Sequence, residues 1–242
     1  MPERAISVRT TKISDHTTQL TRSAILFPVN CYLVREDDGF TLIDTGIGGG
    51  ARGYIAAARQ MGGEIARIAL THAHGDHIGS LTELHELLPQ AEIVYTEREA
   101  RIMNGDRSLD ADEAQAPIRG AYASGFPQPT RAIVPGDKVG SLTVIAAPGH
   151  TPGQVAFLDS RDGLLIAGDA LSTYGGIAVA GIARPIFPFL KMGTWDLRTA
   201  IETARQLCAL HPQQLAVGHG RALRQPEAEM RRAIAVAERH VA

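Results

Sequence analysis

The sequence predicts an α/β fold on three observations. Short apolar runs that are typical of strands alternate with stretches whose apolar residues recur at helical spacing. Turns containing glycine or proline separate these segments along most of the chain. The 242 residues, of which 44% are hydrophobic, are enough to bury one sizeable core. We therefore expect residues 1–242 to form a single α/β domain.

In the first half of the chain, strands and helices alternate. A turn signal at Asp37-Asp38-Gly39 separates two strands, and a leucine pattern that Pro89 ends predicts a later helix. The predicted elements are strands over 24–34 and 40–43, a helix over 51–61, a strand over 65–70, a helix over 80–88 and a strand over 91–95.

The second half resumes the alternation after an interruption. Residues 104–130 are rich in acidic residues, glycine and proline, and we expect either a partly helical flap over a site or a plain surface excursion. The elements predicted beyond it are strands over 142–146, 154–158 and 164–167, a helix over 195–210, a strand over 215–217 and a helix over 226–240.

Composition excludes several classes of function. A net charge of −2 and the lack of any lysine- or arginine-rich run argue against a nucleic-acid partner. The N-terminal residues lack the apolar segment of a secretory signal, and no apolar stretch reaches membrane-spanning length. We expect a cytoplasmic protein that acts on a small molecule. Its two cysteines, Cys31 and Cys208, are interpreted as buried apolar residues.

The sequence Thr-His-Ala-His-Gly-Asp-His at residues 71–77 directly follows a predicted buried strand. Its four potential metal ligands are His72, His74, Asp76 and His77. Imidazole and carboxylate groups suit zinc and iron, and such a dense cluster is costly to hold together without a cation. The sequence therefore predicts a metal site at the end of this strand.

Three further candidate ligands also follow predicted strands. His150 lies in Pro-Gly-His-Thr-Pro-Gly, Asp169 follows a glycine, and His219 lies between two glycines. Strand ends joined by loops are where α/β folds build their sites, and glycine lets the backbone turn tightly beside a ligand atom.

In these residues, and over nearly its whole length, the chain resembles the metallo-β-lactamase-fold superfamily of metallohydrolases. Asp44-Thr45-Gly46 is similar to the family's Asp-Thr-Gly element. The resemblance implies a four-layer αββα sandwich, in which two mixed β-sheets are flanked by helices and the site lies along one edge. Asp44 is then either a hydrogen-bond partner of a metal-bound imidazole or a residue that only stabilises its turn.

The resemblance also implies a site for two divalent ions, with zinc expected first and iron or manganese as alternatives. Two such ions about 3.5–4 Å apart can share a water and lower its pKa from about 16 toward neutrality. Asp76 would also orient the attacking water. The implied ligands are His72, His74 and His150 for the first ion, Asp76, His77 and His219 for the second, and Asp169 as the bridge.

The expected function is hydrolysis of a small ester-like substrate, with a lactone or a thioester first. Zinc β-lactamases of the best-known types use a cysteine or lack the bridging aspartate, so Asp169 argues against that activity. Glyoxalase II-like thioesterases append a helical domain with basic substrate contacts, whereas few residues follow His219 here. The alternatives are a mononuclear iron enzyme of the persulfide-dioxygenase kind, a phosphodiesterase or nuclease, and a non-catalytic metal-stabilised binding domain.

The apolar stretch over 171–195 is the main substrate clue. It either forms the wall of a pocket for an acyl chain, or packs in the core, or makes a homodimer interface. Tyr174 is a candidate catalytic residue, because a tyrosine near the bridging aspartate of related lactonases donates a hydrogen bond to the substrate carbonyl or oxyanion.

Overall fold

Two β-sheets face each other in the computed structural model, which describes residues 8–23, 27–122 and 124–241. The first sheet has seven strands in chain order. They are β1 (Arg9–Lys12), β2 (Thr17–Arg22), β3 (Val29–Glu36), β4 (Gly39–Ile43), β5 (Ile65–Ala69), β6 (Glu92–Tyr95) and β7 (Arg131–Ala132). Strands β1 to β4 pair antiparallel, whereas β4 to β7 pair parallel. The carboxyl ends of β4 and β5 therefore lie at the same edge.

The second sheet is also mixed. Its six strands are β8 (Lys138–Val139), β9 (Leu142–Ala146), β10 (Val155–Asp159), β11 (Leu164–Ile166), β14 (Gln214–Ala216) and β15 (Leu223–Arg224). Their order is β15-β14-β11-β10-β9-β8, and only β11 and β14 are parallel neighbours. Strands β12 (Leu171–Ser172) and β13 (Ala178–Val179) form a separate two-stranded sheet.

The described residues form seven helices, and the longer of these cover the outer faces of both sheets. The seven are α1 (Ala51–Gln60), α2 (Gly75–Ile78), α3 (Leu81–Leu87), α4 (Glu97–Met103), α5 (Phe189–Gly193), α6 (Leu197–Ala209) and α7 (Glu227–Glu238). Among the described residues, none of these helices combines the length and apolar character needed to cross a membrane.

The alternation of side chains along the strands produces three apolar layers. On β3, Tyr32 and Val34 point between the sheets and pack with Phe157 of the second sheet, whereas Leu33 packs with Tyr54 of α1. A third cluster joins the outer face of the second sheet to α6 and α7. These layers give the αββα sandwich that the sequence predicts.

Most predicted elements are present, with ends shifted by one or two residues. The strand predicted over 24–34 begins at Val29, and residues 24–26 lie outside the described part of the chain. The hairpin of β1 and β2 was not predicted. Residues 104–130 were expected to form either a partly helical flap or a plain surface excursion, and the described part of this stretch contains no helix. Its glycines and prolines favour turns over a regular hydrogen-bond ladder.

Candidate metal centre

The seven predicted metal ligands come together at one edge of the two sheets. The segment after β5, which includes the short helix α2, carries four of them, and the loop after β9 carries His150. The parallel strands β11 and β14 end side by side, which brings Asp169 and His219 to the same edge. Four of the histidines, His72, His77, His150 and His219, are at most 2% exposed. The loops of both sheets therefore converge on one buried cluster.

Within this cluster, the ligand atoms form three groups whose members lie within 4.8 Å of one another. The groups are His72, His74 and His150; Asp76, His77 and His219; and His72, His77 and Asp169. The first two match the two sets of ligands that the family resemblance implies. Asp169 lies between them, because its Oδ2 atom is 3.5 Å from His150 Nε2 and 3.2 Å from His219 Nε2.

Each of the five histidines makes a hydrogen bond through one ring nitrogen to a group outside the cluster. The pairs are His72 Nδ1 with Thr71 Oγ1 at 3.0 Å, His74 Nε2 with Arg119 O at 3.1 Å, His77 Nδ1 with Asp44 Oδ2 at 2.8 Å, His150 Nδ1 with Thr194 Oγ1 at 3.0 Å and His219 Nδ1 with Pro28 O at 2.7 Å. We call these the outer hydrogen bonds.

The outer partners determine which ring nitrogen carries the proton. Two are carbonyl oxygens and one is a carboxylate, and all three only accept. The hydroxyls of Thr71 and Thr194 also accept, because they donate their own protons to Asp44 and to the Leu190 carbonyl. In each neutral imidazole the opposite nitrogen therefore turns its lone pair into the cluster, which is how metal-binding histidines are held.

Asp44 is a hydrogen-bond partner of the cluster as well as a turn residue. Its carboxylate accepts from Thr71 N at 2.7 Å and from Thr71 Oγ1, and it faces His77 Nδ1. Its φ of 58° is in the left-handed region, which costs about 1–3 kcal/mol for a residue other than glycine. Strain of this kind persists where the surroundings require it, and here it aims one carboxylate at the candidate ligand His77 and at Thr71, which contacts His72.

Glu99 is a buried residue that the sequence interpretation missed. It is 1% exposed on α4, and its carboxylate accepts from Ala73 N at 2.8 Å, Thr151 Oγ1 at 2.6 Å and Gly153 N at 2.9 Å. Burial raises its pKa to about 6, and the three hydrogen bonds oppose that rise. Glu99 thus connects the ligand loop of the first sheet to that of the second.

The cluster has one side where the imidazole is neutral and another side where the carboxylates favour positive charge. Burial lowers the pKa of His150 to about 3, with a further contribution from His74, so this imidazole is neutral. Burial alone would lower the pKa of His219 too, but the carboxylates of Asp169 and Asp76 raise it to about 9. The side that contains the carboxylates therefore favours positive charge, which bound cations would supply.

Three inward-facing atoms test whether these residues fit a metal. His72 Nε2, His77 Nε2 and Asp169 Oδ1 are buried and make no hydrogen bond of normal geometry among the described residues, although His77 Nε2 and Asp169 Oδ1 lie 3.4 Å apart. Buried polar atoms are normally paired, and these three belong to one ligand group. Nitrogen and carboxylate donors suit zinc, iron and manganese. The donor set therefore fits divalent metal ions.

The described residues of 104–130, which we call the flap segment, pass over the site at residues 116–121. Besides the Arg119 carbonyl bound to His74, the Ala121 carbonyl accepts from Gly75 N at 2.9 Å. Gly120 lies so close to His74 that a Cβ atom there would be 1.9 Å from Nε2. Trp195 Nε1 donates to the Ala116 carbonyl and fastens the segment from the other side.

The stretch over 171–195 divides into two parts. Residues 171–182, including β12 and β13, pack against α6 and α7 in the core. The cavity-facing residues are Phe187, Phe189, Leu190, Met192 and Gly193, which line a cavity of about 700 Å³ that also exposes Asp76, Asp169 and His219. Tyr174 lines a different cleft, and its ring contacts Phe187 at 5.7 Å between centroids. A catalytic role for Tyr174 stays a prediction.

Relatives of the chain support a metal-dependent activity. Protein YobT of Bacillus subtilis is 46% identical over 222 residues, which are 91% of this chain and 95% of that protein. The probable metallo-hydrolase YflN of the same organism is 28% identical over 79% of this chain and 80% of its own. A hydroxyacylglutathione hydrolase of Xanthomonas euvesicatoria is 29% identical over 66% of this chain and only 52% of its own length.

A solved structure and a family model extend the comparison. The di-iron-bound form of TTHA1623 superposes with a TM-score of 0.63 and 26% identity over 83% of this chain and 92% of that one. The model that describes the metallo-beta-lactamase superfamily matches residues 24–219. That match covers most of the chain and every predicted ligand. The chain therefore belongs to the metallo-beta-lactamase superfamily.

Proposed function

We propose that the chain is a dinuclear metal-dependent hydrolase, with zinc expected first, that cleaves a lactone or a thioester. The observation that carries this proposal is the set of outer hydrogen bonds, which turns a lone pair of each clustered histidine inward when its ring is neutral. These nitrogens surround the carboxylates of Asp76 and Asp169. Two complete ligand groups, rather than one, support two ions.

The residues of the chain have separable roles in this proposal. When bound, the two ions would supply a water of lowered pKa and would polarise the substrate carbonyl. Asp76 has the most exposed side chain of the seven ligands, at 26%, and it lines the cavity. Without metal, the positive charges of the neighbouring His219 and His77 hold the pKa of the Asp76 carboxyl below its usual range despite burial, and bound cations would act in the same direction. Its ionised carboxylate can therefore accept a hydrogen bond from the attacking water and orient it.

Two of the relatives favour this chemistry over its alternatives. The hydroxyacylglutathione hydrolase supports hydrolysis of an acyl-thiol compound, and the di-iron form of TTHA1623 supports two ions and keeps iron as an alternative to zinc. The iron dioxygenase and the phosphodiesterase or nuclease have no specific observation in their favour.

A hydrolysis panel on protein of known metal content tests the proposal. Metal per chain is measured by mass spectrometry, and turnover is measured on lactones, thioesters, phosphodiesters and a β-lactam. We expect two ions per chain and turnover on lactones or thioesters. One iron per chain together with oxygen uptake would overturn the proposal, as would turnover restricted to phosphodiesters.

A further inference from the structure

We infer that the metal cavity binds the apolar acyl or aryl part of an uncharged substrate, an inference that rests on the proposed hydrolase function and narrows it. The evidence is an aromatic wall beside the ligands. Phe27, Phe187 and Phe189 contact one another with ring centroids 5.6–6.0 Å apart. Phe27 and Phe187 also contact the ring of His219, at 4.9 and 4.8 Å. The apolar surface therefore begins at a metal ligand.

This wall has a buried floor and an exposed rim. Phe187 and Leu190 are at most 2% exposed, whereas Phe189 is 53% and Met192 is 64% exposed. All four line the 700 Å³ cavity that holds Asp76 and Asp169, a volume typical of small-molecule sites. Exposed apolar side chains grouped at one place usually mark a binding site. An acyl chain that enters over the rim would reach the floor beside the ligands.

The charges of the cavity exclude an acidic substrate tail. Among the described residues that line it, none is lysine or arginine. Lys191 lies on α5 between Leu190 and Met192, but it is not one of the lining residues. A thioester of glutathione carries two carboxylates, which would find no lysine or arginine side chain in this lining. An apolar acyl thioester or an alkyl-substituted lactone fits this wall better, because burying its chain needs no counter-charge.

A substrate explains the wall better than a second copy of the chain. The buried floor and the metal ligands share one cavity, and a partner protein seated on the rim would close that cavity to substrate. Ile186 offers a way to separate the two occupants. It is 59% exposed beside the rim but does not line the cavity, so it would matter for a dimer and not for a substrate.

The test compares two series of substrates on metal-replete protein. One is N-acetylcysteamine thioesters with acyl chains of two to eight carbons, and the other is γ-butyrolactones with alkyl chains of matching length. Each buried methylene should raise kcat/KM about fourfold, and we expect at least tenfold between acetyl and hexanoyl. Phe189→Ala and Met192→Ala should each reduce the ratio of hexanoyl to acetyl at least fivefold. Ile186→Ala, the matched control, should leave that ratio unchanged.

A binding measurement provides a readout that does not depend on turnover. Calorimetry with acetate, hexanoate and octanoate should show a Kd that falls with chain length, and Phe189→Ala should flatten the trend. Turnover without any dependence on chain length, or preference for a glutathione thioester, would overturn this inference while the proposed function stands. Chain-length-dependent binding without turnover would overturn the proposed function alone. A dimer that both Ile186→Ala and Phe189→Ala dissociate would also overturn the inference.

Discussion

Replacing Gly120 by alanine should weaken metal binding although the residue itself is not a ligand. A Cβ atom at this position would lie 1.9 Å from His74 Nε2, where ordinary contact begins at 3.4 Å. His74 or the flap segment must therefore move by 3.4 − 1.9 = 1.5 Å. Either movement breaks the 3.1 Å hydrogen bond between His74 and the Arg119 carbonyl.

The size of the effect follows from what that hydrogen bond does. Loss of an outer partner typically costs 10–100-fold in metal affinity or activity, or about 1.4–2.8 kcal/mol. Gly120 also has a φ of +113°, which adds a backbone strain of about 1–3 kcal/mol once a side chain is present. Only the first of these two costs falls on the metal.

Gly125→Ala separates the two costs. Gly125 lies in the same segment with a φ of +85°, but an added Cβ would meet nothing within 4 Å. Competition with a chelator, followed by metal analysis and thermal unfolding, measures both variants. We expect Gly125→Ala to lose stability and keep its metal affinity, whereas Gly120→Ala loses both. Equal metal affinity in the two variants would refute the role assigned to the Arg119 hydrogen bond.

Three further predictions concern other residues of the site. Glu99→Gln leaves at least one buried donor unpaired and should lower the free energy of unfolding by about 2–4 kcal/mol in chemical denaturation. The control is Glu97→Gln, at an exposed position of the same helix, and equal effects of the two substitutions would contradict the role of Glu99. Asp76→Ala should reduce metal content toward one ion per chain and turnover at least about 100-fold, and unchanged stoichiometry and rate would refute its place in the second group. After removal of metal with a chelator, His219 stays protonated below about pH 9, because the carboxylates raise its pKa to about 9, and this proton competes with the metal. The apparent metal affinity should therefore rise about tenfold per pH unit from pH 7 to 9 for each proton released. An affinity that does not change with pH would contradict this prediction.

The cluster of candidate ligands was predictable because each combines a chemistry-bearing residue with a position at the end of a strand. His150, Asp169 and His219 lie far apart in the sequence, and only the family resemblance predicted that they belong to one site. The same resemblance predicted the αββα sandwich. The structure confirms it, because the alternating strands and helices agree with the family's order of elements.

Other parts of the site could not be read from the sequence. Arg119 and Pro28 contribute through their carbonyl oxygens, and a main-chain acceptor leaves no signal in residue type. Glu99 did leave one signal, because Thr96 and Glu99 have the spacing of a capping box, and Thr96 Oγ1 does cap α4 by accepting from Glu99 N. The Glu99 carboxylate, however, turns inward to the two ligand loops, which no local pattern indicates.

The carbonyl partners of His74 and His219 also bear on how this protein could be re-engineered. Because every residue type supplies a carbonyl oxygen, side chains at positions 119 and 28 can be exchanged without removing the acceptor. Only a change in the path of the backbone would remove it. Libraries for new substrates can therefore diversify the surface around the cavity, provided that Gly120 and the length of the flap segment are kept.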